Sequence, residues 1–175
     1  MKIYTKTGDN KETSIIGQRI NKGSLRIESY GITDEALAYI GLIAAQNKDQ
    51  MLKEQLDDII ILFFKIGNDL ASIEPANYLI SAADSSRIED YIDVLSASLP
   101  ELTSFIGPQG TDLACYCNIA RAIIRRSERA IIRLSAEEAI NEEILKLINR
   151  LSDYFFILMR YNNARSGYTE LKINL

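Results

Sequence analysis

Long stretches of helical periodicity dominate this chain of 175 residues. Apolar residues recur at three- and four-residue spacing, which is the pattern of an amphipathic helix that buries one face. The pattern predicts five helices, the first starting at about Thr33 and the others covering about 50–71, 85–98, 111–134 and 138–161. No competing segment alternates at the period of a strand over a useful length. The prediction is therefore an all-α fold, a five-helix bundle.

The remaining segments are expected to be irregular. Residues 1–24 lack helical periodicity and are rich in Thr, Gly, Asn, Lys and Ser, so they are predicted to be irregular and partly extended. Residues 105–110 (FIGPQG) are predicted to form a turn or loop. Without an internal repeat or a linker, we expect one domain over 1–175: the N-terminal segment, a helical bundle over 25–162 and a C-terminal tail over 163–175.

The composition excludes several kinds of chemistry, because the chain contains no histidine. A Ser-His-Asp or Cys-His nucleophile, a histidine-containing metal site and an imidazole base are all ruled out. A ferritin-like di-iron bundle is excluded too, because it needs Glu-x-x-His motifs. If the chain is an enzyme, another group must move protons, or the reaction needs no proton transfer.

Charge and hydropathy predict a soluble cytoplasmic protein. The net charge of −4 argues against bulk nucleic-acid binding. The N-terminus has no apolar signal region, and no run of 18 apolar residues marks a membrane span. The only two cysteines, Cys115 and Cys117, lack the second pair that a zinc site needs and are predicted to be buried, reduced thiols.

The fourth predicted helix concentrates charge on one face. Its charged residues are Arg121, Arg125, Arg126, Glu128, Arg129 and Arg133. Four of them fall within an arc of about 100° at 3.6 residues per turn. Arginine offers planar, permanently charged donors that suit phosphate oxygens, so this face is a candidate polyphosphate site. The alternative is a solvated helix face with an Arg125–Glu128 ion pair.

The fifth predicted helix carries a second candidate. Asn149, Asp153 and Arg160 share one face, with Arg150 one step round the helix. An Asp in a mostly apolar helix is suited to orient an arginine of the fourth helix. The alternative is a structural ion pair between the two helices.

The N-terminal run at 5–14 is the third candidate, since it combines hydroxyl groups, a glycine and lysines that suit phosphate contacts. It is not a Walker A loop, because the G-x-x-x-x-G-K-[ST] spacing is absent. A disordered polar terminus is the alternative.

Four motifs, taken in order, resemble those of the ATP:cob(I)alamin adenosyltransferases of the propanediol-utilisation (PduO) type. Residues 4–13 are similar to the family pattern Y-T-[KR]-T-G-D-x-G-x-T, and residues 25–35 match L-R-[VI]-E-x-Y-G-x-x-D-E. Residues 121–129 match R-x-x-x-R-R-x-E-R, and residues 149–153 match N-R-L-S-D. The motifs span nearly the whole chain, so the resemblance is specific for fold and family.

The resemblance implies a homotrimer that binds ATP and cobalamin where subunits meet. The implied ATP-binding residues are Thr5, Lys6, Thr7, Gly8, Thr13, Ser14, Lys22, Arg125, Arg126, Glu128, Arg129 and Asn149. Asp34 and Arg121 match a pair that bridges subunits, and with Arg125 they are the implied catalytic residues. Phe105 matches an aromatic residue that displaces the lower axial ligand of cobalamin, and Asp153 is the second implied cobalamin contact. Mg²⁺ accompanies the ATP, with Glu128 as its candidate contact.

The implied reaction transfers the 5′-deoxyadenosyl group of ATP to Co(I) of cobalamin and releases triphosphate. Because Co(I) is itself the nucleophile, no general base is required, which agrees with a chain that lacks histidine. A cobalamin reductase or a cobalamin-dependent enzyme is the further implied partner. Lys11 and Gln109 depart from the family by replacing glycines. They motivate the alternative, a non-catalytic ATP or cobalamin binder acting as a sensor or cofactor escort.

Overall fold

The computed structural model of the chain describes residues 4, 6 and 8–173, and α-helices account for most of them. Within that range the α-helices are α1 (Leu25–Gln46), α2 (Gln50–Ala71), α3 (Ala82–Ser96), α4 (Asp112–Ser135) and α5 (Glu143–Arg165). The prediction of a five-helix, all-α bundle is confirmed. None of these helices is long and apolar enough to cross a membrane.

The first helix begins at Leu25, so the predicted start at Thr33 is wrong. Ser24 caps this helix, because its hydroxyl accepts a backbone N–H of the first turn. The early turns bury Arg26 and Ser29 as well as Thr33. Because these buried residues are polar, the apolar periodicity that predicts a helix does not extend to its true start.

The remaining helices differ less from their predicted bounds. α2 covers the predicted residues, and α3 and α4 are displaced by a few positions. The fifth helix begins at Glu143 instead of 138 and also ends later than predicted. Buried Asn141 accounts for the later start, since its Nδ2 donates to Asp69 Oδ2 (2.7 Å) and to the Ile80 carbonyl (2.8 Å). These bonds fix the α4–α5 connection outside the helix.

Two short antiparallel pairs of strands lie outside the bundle. β1 (Glu12–Ile15) and β2 (Gln18–Asn21) form a hairpin, which confirms that the N-terminal segment is partly extended. Its turn contains Gly17 with φ of 89°, a conformation that glycine adopts readily. β3 (Phe105–Ile106) pairs with β4 (Lys172–Ile173). The first two residues of the predicted loop at 105–110 are therefore in a short strand. The tail is thereby joined to the segment that precedes α4.

The core lies between the helices, with α4 packed against α1 and α5, α5 against α3, and α1 against α2. Fully buried apolar side chains, among them Ile40, Ile59, Ile124 and Phe155, come from all of these interfaces. Cys117 belongs to this core, and burial raises the pKa of its thiol. Cys115 is half-buried, and neither cysteine forms a disulfide.

A buried arginine joins three parts of the fold. Arg26 of α1 is 1% exposed, and its Nε donates to Glu138 Oε2 at 2.8 Å. Its terminal nitrogens donate to the carbonyl oxygens of Leu70 (2.8 Å) and Ser72 (3.2 Å) at the end of α2, and of Ala139 (3.1 Å) after α4. One side chain therefore connects the start of α1 with the ends of two other helices.

We expect Arg26→Met to lower the free energy of unfolding by about 3 kcal/mol, because it leaves buried carbonyl oxygens without donors. Urea unfolding followed by circular dichroism measures the change. Arg133→Ala is the matched control, since Arg133 pairs with Glu28 on the surface and should contribute at most about 1 kcal/mol. Equal losses in the two variants would contradict this role for Arg26.

Candidate functional site

The structure brings two of the three predicted candidates together between α4 and α5. Asn149 Nδ2 donates to Glu128 Oε1 at 3.2 Å across the two helices. Asp153 lies one turn further along α5, where both Arg125 and Glu128 act on it electrostatically. The alternative prediction, a solvated helix face, included an Arg125–Glu128 ion pair. In the structure Glu128 instead accepts a hydrogen bond from Asn149. These four residues are called the α4–α5 cleft below.

Asp153 responds to the charges of this cleft. Burial raises the pKa of Asp153, the charge of Glu128 raises it further, and the guanidinium groups of Arg150 and Arg125 oppose the rise. Arg150 NH1 lies 3.8 Å from Asp153 Oδ2. The side chain of Asp153 is still 56% exposed, so its carboxylate is open to a ligand.

Arg121 and Asp34 are not joined within the single chain. Arg121 is half-buried on α4, and its Nε donates to Asn118 Oδ1 at 3.1 Å. Burial lowers the pKa of Arg121, and the neighbouring Arg125 lowers it further. Asp34 is exposed on α1, in a shallow depression of about 40 Å³ beside Tyr30 and Phe64. Their pairing therefore stays a prediction that concerns two subunits.

The other arginines of these helices have different surroundings. Arg126, a predicted ATP contact, forms a surface ion pair with Glu35 of α1, and Arg129 is exposed. Arg160 shares a helix face with Asp153 but is 6% exposed and bonded elsewhere, to Glu170 Oε2 (3.2 Å) and the Pro100 carbonyl (3.0 Å). It fastens the C-terminal segment to α5 and is not part of the α4–α5 cleft.

The N-terminal hairpin forms one wall of a groove of about 590 Å³. The lining residues are Thr13, Ser14, Ile15, Ile16, Lys22, Ile27, Tyr30 and Ala71. Apolar walls with a few polar groups at this volume are typical of a small-molecule site. Lys22 Nζ donates to the Gly8 carbonyl at 2.8 Å, and Lys6 is exposed. Of the remaining predicted contacts, Thr5 and Thr7 lie outside the described residues.

One backbone hydrogen bond attaches this hairpin to the bundle. Ile16 N donates to the Ala71 carbonyl at 3.1 Å. Ala71 lies between Leu70 and Ser72, whose carbonyl oxygens accept from Arg26. Arg26 is thus a residue behind the groove that the site prediction did not contain. The sequence signal that could have pointed to Arg26 is its place in the L-R-I-E run, one of the four motifs that match the family.

Phe105, the predicted cobalamin contact, is exposed on the surface of the chain. Its side chain is 73% exposed, although β3 is paired with β4 and Gly107 N donates to the Leu171 carbonyl at 2.8 Å. Gln109 fits the loop that follows, because its Oε1 accepts from Tyr168 at 3.3 Å. The ring of Phe105 is therefore accessible to another molecule, on a backbone segment that is held by these hydrogen bonds.

These features define a class of protein: an all-α bundle that combines a hairpin-lined groove with a group of arginine, carboxylate and amide side chains on its last two helices. The chain belongs to the cobalamin adenosyltransferase family, whose model matches residues 3–162. The family expected from the four motifs is confirmed.

Relatives and solved structures agree with this membership over the whole chain. The corrinoid adenosyltransferase of Bacillus subtilis is 42% identical over 98% of this chain and 92% of its own length. The corrinoid adenosyltransferase MMAB of Homo sapiens is 34% identical over 97% of this chain and 72% of its own length. A variant PduO-type ATP:corrinoid adenosyltransferase from Lactobacillus reuteri, solved with cobalamin and ATP, superposes with a TM-score of 0.94. That structure is 36% identical, and the match covers 99% of this chain and 100% of the other.

Lys11 carries backbone strain at the entrance to the hairpin. Its φ is 65°, in the left-handed region that disfavours residues with a Cβ atom. The Lys11 carbonyl accepts from Lys22 N at 2.8 Å, so the strained residue takes part in closing the hairpin. The departure from the family's glycine therefore lies where glycine would remove strain.

We expect Lys11→Gly to stabilise the closed hairpin by about 1 kcal/mol, because glycine adopts a positive φ without the steric cost of a Cβ atom. Hydrogen exchange of the Lys22 amide should slow about fivefold as the hairpin opens less often. Lys11→Ala removes the same charge but keeps the strain, so it should leave the exchange rate near that of the original chain. Equal slowing in both variants would assign the effect to charge instead of backbone conformation.

Proposed function

We propose that this chain transfers the 5′-deoxyadenosyl group of ATP to Co(I) of reduced cobalamin and releases triphosphate. The observation that carries the proposal is the match along the whole chain to an adenosyltransferase solved with both cobalamin and ATP. The hairpin groove and the α4–α5 cleft supply sites of suitable chemistry. The function implied by the resemblance is the one that these findings support.

The reaction forms a Co–C5′ bond and breaks the bond from C5′ to the triphosphate oxygen, which leaves with the bonding electron pair. Co(I) of the substrate is the nucleophile, so no side chain has to remove a proton. The protein has two tasks: to align C5′ with cobalt and to stabilise the negative charge that develops on the triphosphate. Neither task requires a histidine, and this chain contains none.

ATP is held from two sides in this proposal. The N-terminal segment contributes Thr5, Lys6, Thr7, Gly8, Thr13, Ser14 and Lys22. The bundle contributes Arg125, Arg126, Glu128, Arg129 and Asn149. Lysine and arginine donors match phosphate oxygens, and Arg125 on the cleft face is assigned to the departing triphosphate.

Glu128 fits a contact to Mg²⁺ that accompanies ATP. Its half-buried carboxylate accepts from Asn149 through Oε1, which leaves coordination capacity on the other oxygen. Magnesium is usually held by one or two carboxylates together with substrate phosphates. No group of three or more potential metal-binding side chains converges among the residues that the structure describes, so the phosphates would complete the coordination. Bound Mg²⁺ would add positive charge beside the triphosphate.

A homotrimer completes the site in this proposal. Half-buried Arg121 lacks an acidic partner within the described part of its own chain, and Asp34 is exposed among apolar neighbours. On α2, Phe64 (67% exposed) and Ile61 (55% exposed) extend this apolar surface. Burying it against a second subunit would be favourable and would allow an Asp34–Arg121 pair to form between subunits. Light scattering in solution measures the number of subunits directly.

Phe105 and Asp153 are the residues assigned to cobalamin in this proposal. The exposed ring of Phe105 is suited to cover the lower face of the corrin and exclude both water and the axial base. Loss of the axial ligand makes Co(II) easier to reduce. Asp153 has the exposed carboxylate needed to accept hydrogen bonds from the amide side chains of the corrin.

The cytoplasm is the proposed location, and a cobalamin reductase is the proposed partner. Co(I) is readily oxidised, so it must be generated close to the enzyme in a reducing compartment. The cysteines are both free, as expected in such a compartment. A cobalamin-dependent enzyme is the proposed receiver of the product.

A second candidate is a non-catalytic ATP or cobalamin binder, acting as a sensor or escort. The strained Lys11 favours it, because the strain affects the hairpin that would contact ATP. The test is an anaerobic assay with ATP, Mg²⁺ and chemically reduced cobalamin. The spectrum of adenosylcobalamin supports the enzyme, whereas tight binding without product supports the sensor.

We expect Arg125→Ala to lower kcat/KM by at least about a hundredfold in this assay, because it removes a donor from the triphosphate in the transition state. Circular dichroism should show an unchanged fold, since Arg125 is exposed. Arg133→Ala removes an arginine from the same helix outside the proposed contacts and should retain activity. Near-normal turnover in the Arg125 variant would contradict the assigned role.

We expect Phe105→Ala to affect reaction from Co(II) more than reaction from Co(I), because the ring is assigned to exclude the axial ligand. Parallel assays, one with Co(II) and a reductant and one with pre-reduced Co(I), measure the difference. Val94→Ala truncates another exposed apolar residue, on α3, and should change neither rate. Equal losses in both assays of the Phe105 variant would contradict the axial-ligand argument.

A further inference from the structure

We infer that Arg150 is a positioning residue that fixes the orientation of the Asn149 amide, and that Glu89 of α3 holds Arg150 in place. The inference rests on the proposed function, because it assigns a role to Asn149 and Glu128 toward ATP. It adds two residues to the site, and neither of them needs to touch a substrate.

A continuous series of hydrogen bonds carries the inference from α3 to α4. Arg150 Nε donates to Glu89 Oε1 at 2.6 Å, and Arg150 NH1 donates to Asn149 Oδ1 at 3.1 Å. Asn149 Nδ2 then donates to Glu128 Oε1 at 3.2 Å. The series Glu89–Arg150–Asn149–Glu128 thus crosses three helices and ends inside the α4–α5 cleft. It is called the amide relay below.

The chemistry of the two neighbours permits only one orientation of the amide. A guanidinium group has no acceptor, so the Asn149 atom that it contacts must be the carbonyl oxygen. A carboxylate has no donor, so the atom facing Glu128 must be the amide nitrogen. The reversed amide would lose both hydrogen bonds and would place like partial charges against each neighbour. Arg150 and Glu128 therefore determine which end of Asn149 points in which direction.

This fixed orientation has a consequence for the ligand. An amide nitrogen carries two hydrogens, and Glu128 takes one of them. The second hydrogen is available to an acceptor, and the triphosphate or ribose oxygens of ATP are acceptors. The bond to Asn149 also restrains Glu128, the candidate Mg²⁺ contact. Losing Arg150 would thus loosen Asn149 and Glu128, both proposed for ATP, although the guanidinium is not assigned to the ligand. It would also remove the charge that lies 3.8 Å from Asp153, which is proposed for cobalamin.

The surface location of the first two members makes the relay testable. The side chains of Arg150 and Glu89 are 42% and 48% exposed, and such ion pairs contribute little to stability. Variants at either position should therefore fold normally. A loss of function in them would reflect positioning and not unfolding.

The test compares Arg150→Gln, Arg150→Lys and Glu89→Gln for KM of ATP, kcat and thermal midpoint. We expect Arg150→Gln to raise KM for ATP about fivefold to tenfold, in proportion to the loss of one or two hydrogen bonds. Glu89→Gln should raise it about twofold to threefold, because it keeps a neutral acceptor for Arg150. Arg150→Lys should fall between the two, since an ammonium group can restore one contact but not the fork of two. Thermal midpoints should be unchanged.

Asp57→Asn is the matched control, because it neutralises a carboxylate in an exposed ion pair with Lys53 on α2, outside the relay. It should leave KM and kcat unchanged. Original KM values in both Arg150→Gln and Glu89→Gln would overturn the inference. So would a fall in thermal midpoint that tracks the fall in activity, since that pattern indicates a structural role.

A second readout does not depend on turnover. NMR spectroscopy supplies it through the side-chain amide signals of Asn149, which are assigned by their absence in Asn149→Ser. These signals should shift in Arg150→Gln and remain in place in Asp57→Asn. If the original chain makes no adenosylcobalamin but these signals shift, the proposed function fails while the relay is supported. If product forms but the signals and KM are insensitive to Arg150, the relay fails while the proposed function stands.

Discussion

The position of the hairpin groove depends on one buried cation. Arg26 donates to carbonyl oxygens on both sides of Ala71, and the Ala71 carbonyl accepts the backbone N–H that attaches the hairpin to the bundle. A charge that is 1% exposed is tolerable only because acceptors surround it, which makes its geometry demanding. The bonds to Arg26 therefore fix the end of α2. Because the hairpin is attached there, they also help to position the groove that the hairpin lines.

The sequence predicts best those helices whose buried residues are mostly apolar. α2 has the predicted bounds because its buried face is almost continuously apolar. The start of α1 could not be found in this way, since polar Arg26, Ser29 and Thr33 occupy its buried face. The start of α5 depends on Asn141, whose partners lie on distant parts of the chain. Such bonds leave no periodic signal in the sequence.

In the candidate site, the sequence predicts which residues share a helix face but not which partners they bond. Spacing alone places arginines on one face of α4 and Asn149 with Asp153 on one face of α5. It does not reveal that Glu128 bonds Asn149 in preference to an arginine, or that Arg160 is used by Glu170 in the C-terminal segment. Those outcomes follow from the angle at which α4 and α5 meet and from the path of the tail. The motifs identified the family because they preserve residue types whose partners only the fold reveals.

The arginines that remain after this pairing are not equivalent. Arg126 is paired with Glu35, so in the proposed complex ATP would compete with Glu35 for its guanidinium. Arg150 is paired with Glu89 and is not assigned to ATP. Arg125 has no salt bridge within the described residues; Asp153 acts on it only at longer range. Its donors are therefore available to a triphosphate without a prior bond being broken. Under the proposed function, which needs charge stabilisation and no proton transfer, such a guanidinium is suited to stabilise the charge that develops on the triphosphate.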